Sequence, residues 1–181
     1  MKRNLAQRVS SRNSLLYDRP VKKVSFAGME CSVAQSLEVI GEWWTFLIIR
    51  DAFMGVTRFD DFAKRLGIAR NVLTARLDTL VEADVMTRVP YEEGTRPRYD
   101  YRLTDKGKAL WPVLTTLRQW GDEWMLGKGH EPVLLEHRGC GHATTPHLSC
   151  DHCGEVLAGR DVRAVPGPGL TDPDLLARLA R

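Results

Sequence analysis

The sequence predicts an α+β fold, mainly helical, with a β-hairpin near its middle and a small cysteine-rich β appendage toward its C-terminus. Three observations carry this expectation. A short and a longer amphipathic segment lie on either side of a glycine turn between Phe59 and Ala83, an alternating basic hairpin follows from Val85 to Leu103, and three cysteines cluster from Cys140 to Cys153. At 181 residues the chain can build one core with a small second element.

The first amphipathic segment places Phe59, Phe62, Ala63 and Leu66 at i, i+3, i+4 and i+7, the stripe of a helix with one buried face. Gly67 supplies the helix stop, Ile68 begins a tight linker, and a second helix is predicted from Ala69 to Ala83. On it Leu73, Leu77, Leu80 and Val81 share the packing face, while Arg70, Asn71, Thr74 and Asp78 share the other. Two such helices on a short turn outline a helix-turn-helix. The run Val85 to Val89, a turn at Glu92-Glu93-Gly94-Thr95 and the alternating strand Arg98 to Leu103 then form a wing with a basic tip.

These placements suggest a surface for double-stranded DNA. A recognition helix enters the major groove with its N-terminal residues, which puts Arg70, Asn71 and Thr74 nearest the base edges. Arginine pairs with guanine and asparagine with adenine in bidentate fashion. Arg76 lies on the flank and is expected to hold either a phosphate or an internal carboxylate. Arg96 and Arg98, on either side of Pro97, stand where a wing meets phosphates or a minor groove.

Ahead of this module, Cys31 to Ile40 reads as a helix with Val33, Ala34, Leu37 and Ile40 on its apolar side, ended by Gly41. Trp43 to Met54 is a second, almost wholly apolar helix that should lie inside the domain. Gly55 to Arg58 is expected to supply a turn and the short strand that closes the wing sheet. A long helix should start at a Thr104 cap and run toward Met125, with a bend near Lys108 to Trp111 because Pro112 removes a hydrogen bond. Its stripe of Leu110, Val113, Leu114, Leu117, Trp120 and Trp124 is large for so small a monomer to cover, and a symmetric partner would cover it.

Several of these motifs, in this order, resemble the HxlR-type winged helix-turn-helix regulators, relatives of the MarR group. They are Cys31-Ser32-Val33-Ala34, Leu37-Glu38-Val39-Ile40-Gly41, Trp44-Thr45, Leu47 to Asp51, Arg58-Phe59, Leu73 to Leu77, and Tyr101-Arg102-Leu103-Thr104-Asp105-Lys106-Gly107. The resemblance spans about residues 30 to 125. It implies a bacterial homodimer on a partly palindromic operator, with dimer contacts from the first helix and the helix after the wing. It also implies repression relieved by a small-molecule effector or an oxidised thiol. Some relatives of this type sense quinones, aldehydes or hypochlorite through a cysteine near the position of Cys31. That cysteine opens a predicted helix, where the helix N-terminus favours a thiolate. The other reading open to Cys31 is a small packing residue.

The remaining cysteines suggest separate chemistry. Cys150-x-x-Cys153 followed by Gly154 has the shape of a zinc knuckle, and Cys140 supplies a third sulfur. His142 is the expected fourth ligand, with His152 and His147 as alternatives, giving a structural zinc on three thiolates and one imidazole. A redox Cys-x-x-Cys is the rival, without the βαβ context that usually carries one; a hairpin that holds no metal and simply packs on the dimer is the third reading. No organic cofactor is expected.

The sequence divides into a basic arm (1–30), the helix-turn-helix and dimerisation domain (31–126), the cysteine-rich appendage (127–169) and a tail or short helix (170–181). Formal net charge is +3, with the excess gathered in the arm. A strand is expected at Asp161 to Val165 and a short helix within Asp172 to Arg181. No window approaches the roughly 18 apolar residues of a membrane span, and the arm lacks a secretory core, so a cytoplasmic protein is expected. Asp60-Asp61 and Glu92-Glu93 are neighbours that solvate separately, and no phosphate loop or nucleophile elbow accompanies the cysteines, so no enzyme is expected. The alternatives kept open are a metal-sensing or interaction module built on the cysteine hairpin and, behind it, a thiol-redox enzyme.

Overall fold

The computed structural model describes residues 25–91 and 98–180. Its elements run α1 (Ser32–Ile40), α2 (Trp43–Phe53), α3 (Phe59–Leu66), α4 (Arg70–Glu82), β1 (Met86–Tyr91), β2 (Arg98–Leu103), α5 (Asp105–Lys108), α6 (Trp111–Gly121), a π-helical turn (Asp122–Leu126), β3 (Leu135–His137), β4 (His142–Thr144) and α7 (Pro173–Leu179). This is the mixed fold the sequence predicts, with helices around one antiparallel hairpin and a second, smaller hairpin behind them.

The core is made where α2, α3 and α4 meet β1. Ile48 and Ile49 of α2, Phe62 of α3, and Leu73, Leu77 and Leu80 of α4 are fully buried, with Val85 and Met86 beneath them. Each such side chain contributes about 1.5–3 kcal/mol by leaving water. Asp51 lies at 0% exposure inside this layer, its two carboxylate oxygens held by Arg50 at 2.8 Å and Arg65 at 3.1 Å. That pairing ties α2 to α3 and satisfies a charge that would otherwise be costly to bury.

Gly67 caps α3 in the left-handed region, at φ 62°, and its N–H bonds the Ala63 carbonyl at 3.0 Å. A residue with a Cβ is strained there, so the glycine sets the turn that aims α4. β1 and β2 pair antiparallel from Met86 opposite Leu103 to Tyr91 opposite Arg98. Arg58 bridges to Asp100, and the Tyr101 N–H donates to the Thr57 carbonyl at 2.7 Å, so the strand expected after Gly55 is reduced to a single bridge beside the two-stranded wing.

Behind the wing the expected long helix is divided. Thr104 caps α5, its hydroxyl accepting the Gly107 N–H at 3.1 Å and donating to the Asp84 carbonyl at 2.6 Å. The chain breaks at Ala109-Leu110, resumes as α6 with Pro112 in its first turn, and widens into the π-helical turn that Gly127 ends. Proline fits a first turn because the N–H it lacks has no partner there. Lys106 Nζ donates to the Ala83 carbonyl at 2.7 Å, capping α4 and tying it to α5.

Two expectations about the C-terminal part differ in outcome. The tail forms α7, capped by Asp172, which accepts from the N–H groups of Asp174 and Leu175. Asp161 to Val165 is not a strand, since β-prone residues need a neighbouring strand to bond and none lies beside them. The tail is tied to the start of the described chain: Glu30 accepts hydrogen bonds from Thr171 and from the Asp172 N–H. The Thr171 hydroxyl and backbone bonds hold the Glu30 carboxyl below its ordinary range.

Candidate nucleic-acid interface

The N-terminal half of α4 turns one face outward. Leu73 and Leu77 anchor it from below, and Arg70, Asn71 and Thr74 are exposed above them. Ala69 begins the helix without a side-chain cap, so the first-turn N–H groups meet no cap from that residue. The Thr74 hydroxyl donates to the Arg70 carbonyl at 2.9 Å, which leaves its lone pairs outward as acceptors.

Arg70 is held in place by α3. Its Nη1 lies 2.7 Å from an Asp60 carboxylate oxygen, and its guanidinium stacks over the Phe59 ring at 4.7 Å. Both partners are one helix away, so the turn at Gly67 is what brings the base-reading candidate and its carboxylate together. Arg76 reaches back instead: its Nη2 pairs with Glu42 at 3.1 Å, at the head of α2. Of the two roles expected for Arg76, this is the internal carboxylate.

The wing approaches the same end of α4. A cleft of about 380 Å³ is lined by Arg58, Asp60, Arg70, Tyr91, Arg98 and Tyr99. Arg58 stacks over Tyr91 at 4.6 Å, and Arg98 stands exposed on β2 opposite Tyr91. In the sequence Arg58 reads as part of a closing strand and of the Arg58-Phe59 motif; its place in the cleft with Arg70 depends on the long-range Arg58–Asp100 bridge. Lower on the wing Arg88 pairs with Asp78 of α4 and lies over the Tyr101 ring at 5.8 Å. Arg96 falls outside the described residues.

The other candidate residues lie apart from this face. Cys31 is the N-cap of α1 and is exposed, with no side-chain cap bond. Cys140 and Cys153 are exposed and Cys150 half-buried, all as free thiols. The N–H groups of Cys153 and His152, with the Cys153 side chain, bond the Cys150 sulfur and lower its thiol pKa. The Nδ1 of His142 lies 2.7 Å from the Cys140 carbonyl. Among the described residues, no three His, Cys, Asp or Glu side chains form a group able to hold a metal ion. Nor is any helix there long and apolar enough to cross a membrane. An apolar cavity of about 540 Å³ lies between Phe53, Trp111, Leu114 and Val133, with Arg50 and Arg65 at its wall.

Comparison with known proteins places this geometry. A profile of the HxlR-like helix-turn-helix family matches residues 39–128. A Mycobacterium tuberculosis protein named as an uncharacterized HTH-type transcriptional regulator is 46% identical over 138 residues, 76% of this chain and 87% of that one. The solved structure of PA1607, a protein assigned as a transcription factor, aligns with a TM-score of 0.71 at 43% identity, covering 80% of this chain and 100% of its own. That of PA1374 from Pseudomonas aeruginosa, assigned likewise, has a TM-score of 0.58 at 36% identity and covers 82% and 100%.

Proposed function

The chain belongs to the HxlR-like helix-turn-helix family of transcriptional regulators, and on that premise we propose that it is a homodimeric repressor occluding a partly palindromic operator. The observation that carries the reading is the outward face of α4, where Arg70, Asn71 and Thr74 stand together beside the wing cleft. Arg70 and Asn71 read base edges; Thr74 accepts or donates at one more position; Arg98 and Arg96 hold phosphates at the wing. Arg76, occupied by Glu42, braces the helix from behind.

The dimer is supported by apolar side chains left uncovered on α1, at the start of α2, and along α6 and the π-helical turn. Val33 and Leu37 of α1, Leu117 of α6, Trp43 (65% exposed), Trp120 (54%) and Trp124 (63%) all reach the surface. Only Thr115 of α6 is buried within the chain. Apolar area of this extent is costly in water, and an isologous interface buries the same patch on both copies. Cys31, exposed at the head of α1, stands where its oxidation would bear on that surface.

A gel-shift panel on a site selected from genomic DNA tests the assignment. Arg70→Ala and Asn71→Ala are each expected to cost about 1–3 kcal/mol of discrimination for the selected site. Arg98→Ala is expected to weaken all duplexes alike and to reduce the salt dependence. Unchanged binding by all three variants rejects this interface. In the same assay a quinone should loosen the wild type and spare Cys31→Ser; equal responses dismiss the sensor.

A further inference from the structure

Two turns in the appendage are built on one plan. In His137-Arg138-Gly139-Cys140-Gly141, the Gly141 N–H donates to the His137 carbonyl at 2.8 Å, and Gly141 has φ 70°. In Cys150-Asp151-His152-Cys153-Gly154, the Gly154 N–H donates to the Cys150 carbonyl at 2.9 Å, and Gly154 has φ 78°. Each turn is closed by paired backbone. His137 lies opposite His142 across β3 and β4, and Ser149 bridges Val156 while the Cys150 N–H donates to the Glu155 carbonyl at 2.8 Å.

Within each turn the first and fourth side chains meet. His137 Nδ1 is 3.3 Å from Cys140 Sγ, and the Cys150 and Cys153 thiols are hydrogen-bonded to one another. Two ligands on one tetrahedral zinc, at about 2.0 Å for nitrogen and 2.3 Å for sulfur, are roughly 3.5 Å apart. The His137–Cys140 pair already has nearly that spacing.

We propose that these turns are the two halves of a structural zinc site with His137, Cys140, Cys150 and Cys153 as ligands. The fourth ligand is then His137 rather than His142, which lies past the turn with its Nδ1 against the Cys140 carbonyl. With His137 counted, the sequence contains two knuckles of equal length, His-x-x-Cys-Gly and Cys-x-x-Cys-Gly.

The appendage also needs such a cross-link. No residue from 127 to 169 is buried. A segment of this size with no core of its own is held by disulfides, metal or a partner surface. It does grip α6, through a half-buried bond from Gln119 Nε2 to the Pro146 carbonyl at 2.8 Å and an exposed one from Arg118 Nη1 to the Val133 carbonyl at 2.7 Å, but two polar bonds do not replace a core. The four ligands are not gathered on one point in this structure. The ion's part is therefore to draw two formed half-sites together, so that metal binding stabilises the closed appendage.

The test uses full-length protein purified under reducing conditions without added metal, read by native mass and elemental analysis. One zinc per chain is expected. His137→Ala and Cys150→Ser should lose it, while His142→Ala should keep it. His137→Cys should also keep it and, when loaded with cobalt(II), show stronger sulfur-to-metal charge-transfer absorption than the wild type. A wild type holding only a small fraction of one zinc, a Cys150–Cys153 disulfide in its place, or full zinc in His137→Ala would overturn the site. DNA binding by the wild type is scored separately, so failure of either proposal is visible without the other.

Discussion

Gly107→Ala is expected to destabilise the protein by more than about 3 kcal/mol, a melting shift of roughly 6–12 °C for a chain of this size. A Cβ at Gly107 would stand 2.1 Å from the Val85 carbonyl oxygen and 3.0 Å from Leu103 Cδ2. The carbonyl cannot retreat cheaply, because it accepts the Thr104 N–H at 3.1 Å and lies 3.2 Å from the Thr104 hydroxyl. Three elements meet there: the end of α4, the base of the wing and the start of α5. Gly121→Ala is the control, since a Cβ there meets nothing within 4 Å and alanine favours a helix by about 1 kcal/mol. Equal urea midpoints for Gly107→Ala and the wild type would show that the junction yields.

The second large effect concerns assembly. Leu117→Glu combined with Trp120→Glu is expected to give a folded monomer whose operator affinity falls by at least about 100-fold, the benefit that joining two reading heads confers. Both side chains are about half-exposed in the single chain, so the introduced carboxylates can reach water there, and circular dichroism checks that the variant stays folded. Sedimentation and gel shift on the same samples check the two halves of the claim. A wild type that sediments as a monomer, or a double variant that binds the operator as tightly, would remove the dimer from the proposal.

The helix-turn-helix was legible because its signals are local: the stripe Phe59, Phe62, Ala63, Leu66, the stop at Gly67, and the leucines of α4 each report on the next few residues. The break before α6 was legible for the same reason, through Pro112. What depends on distant partners was not. Arg58 joins the cleft only because β2 passes beside it, and Glu30 meets Thr171 across most of the chain. Asp161 to Val165 has strand-like residues but no strand to pair with. The likeness of the turns at His137 and Cys150 is also hidden in the sequence, because it lies in backbone bonds and φ angles rather than in residue types.

With Arg70 as the proposed base reader, its contact with Asp60 would make recognition an exchange rather than a simple gain. Before it can touch a base, the Arg70 guanidinium must leave a carboxylate it already holds, in a solvent-exposed pair worth at most about 1 kcal/mol. A stray phosphate replaces one anion with another, so the exchange adds little beyond the pair already held. A guanine offers two acceptors in the plane of the guanidinium, with about 1–3 kcal/mol of discrimination against a wrong base. Asp60→Ala is therefore expected to raise affinity for unrelated duplexes more than for the operator, narrowing the ratio between them; a ratio that stays put would mean Asp60 is only a resting place. On the proposed reading, the carboxylate paired with Arg70 sets how long the protein lingers at the wrong address.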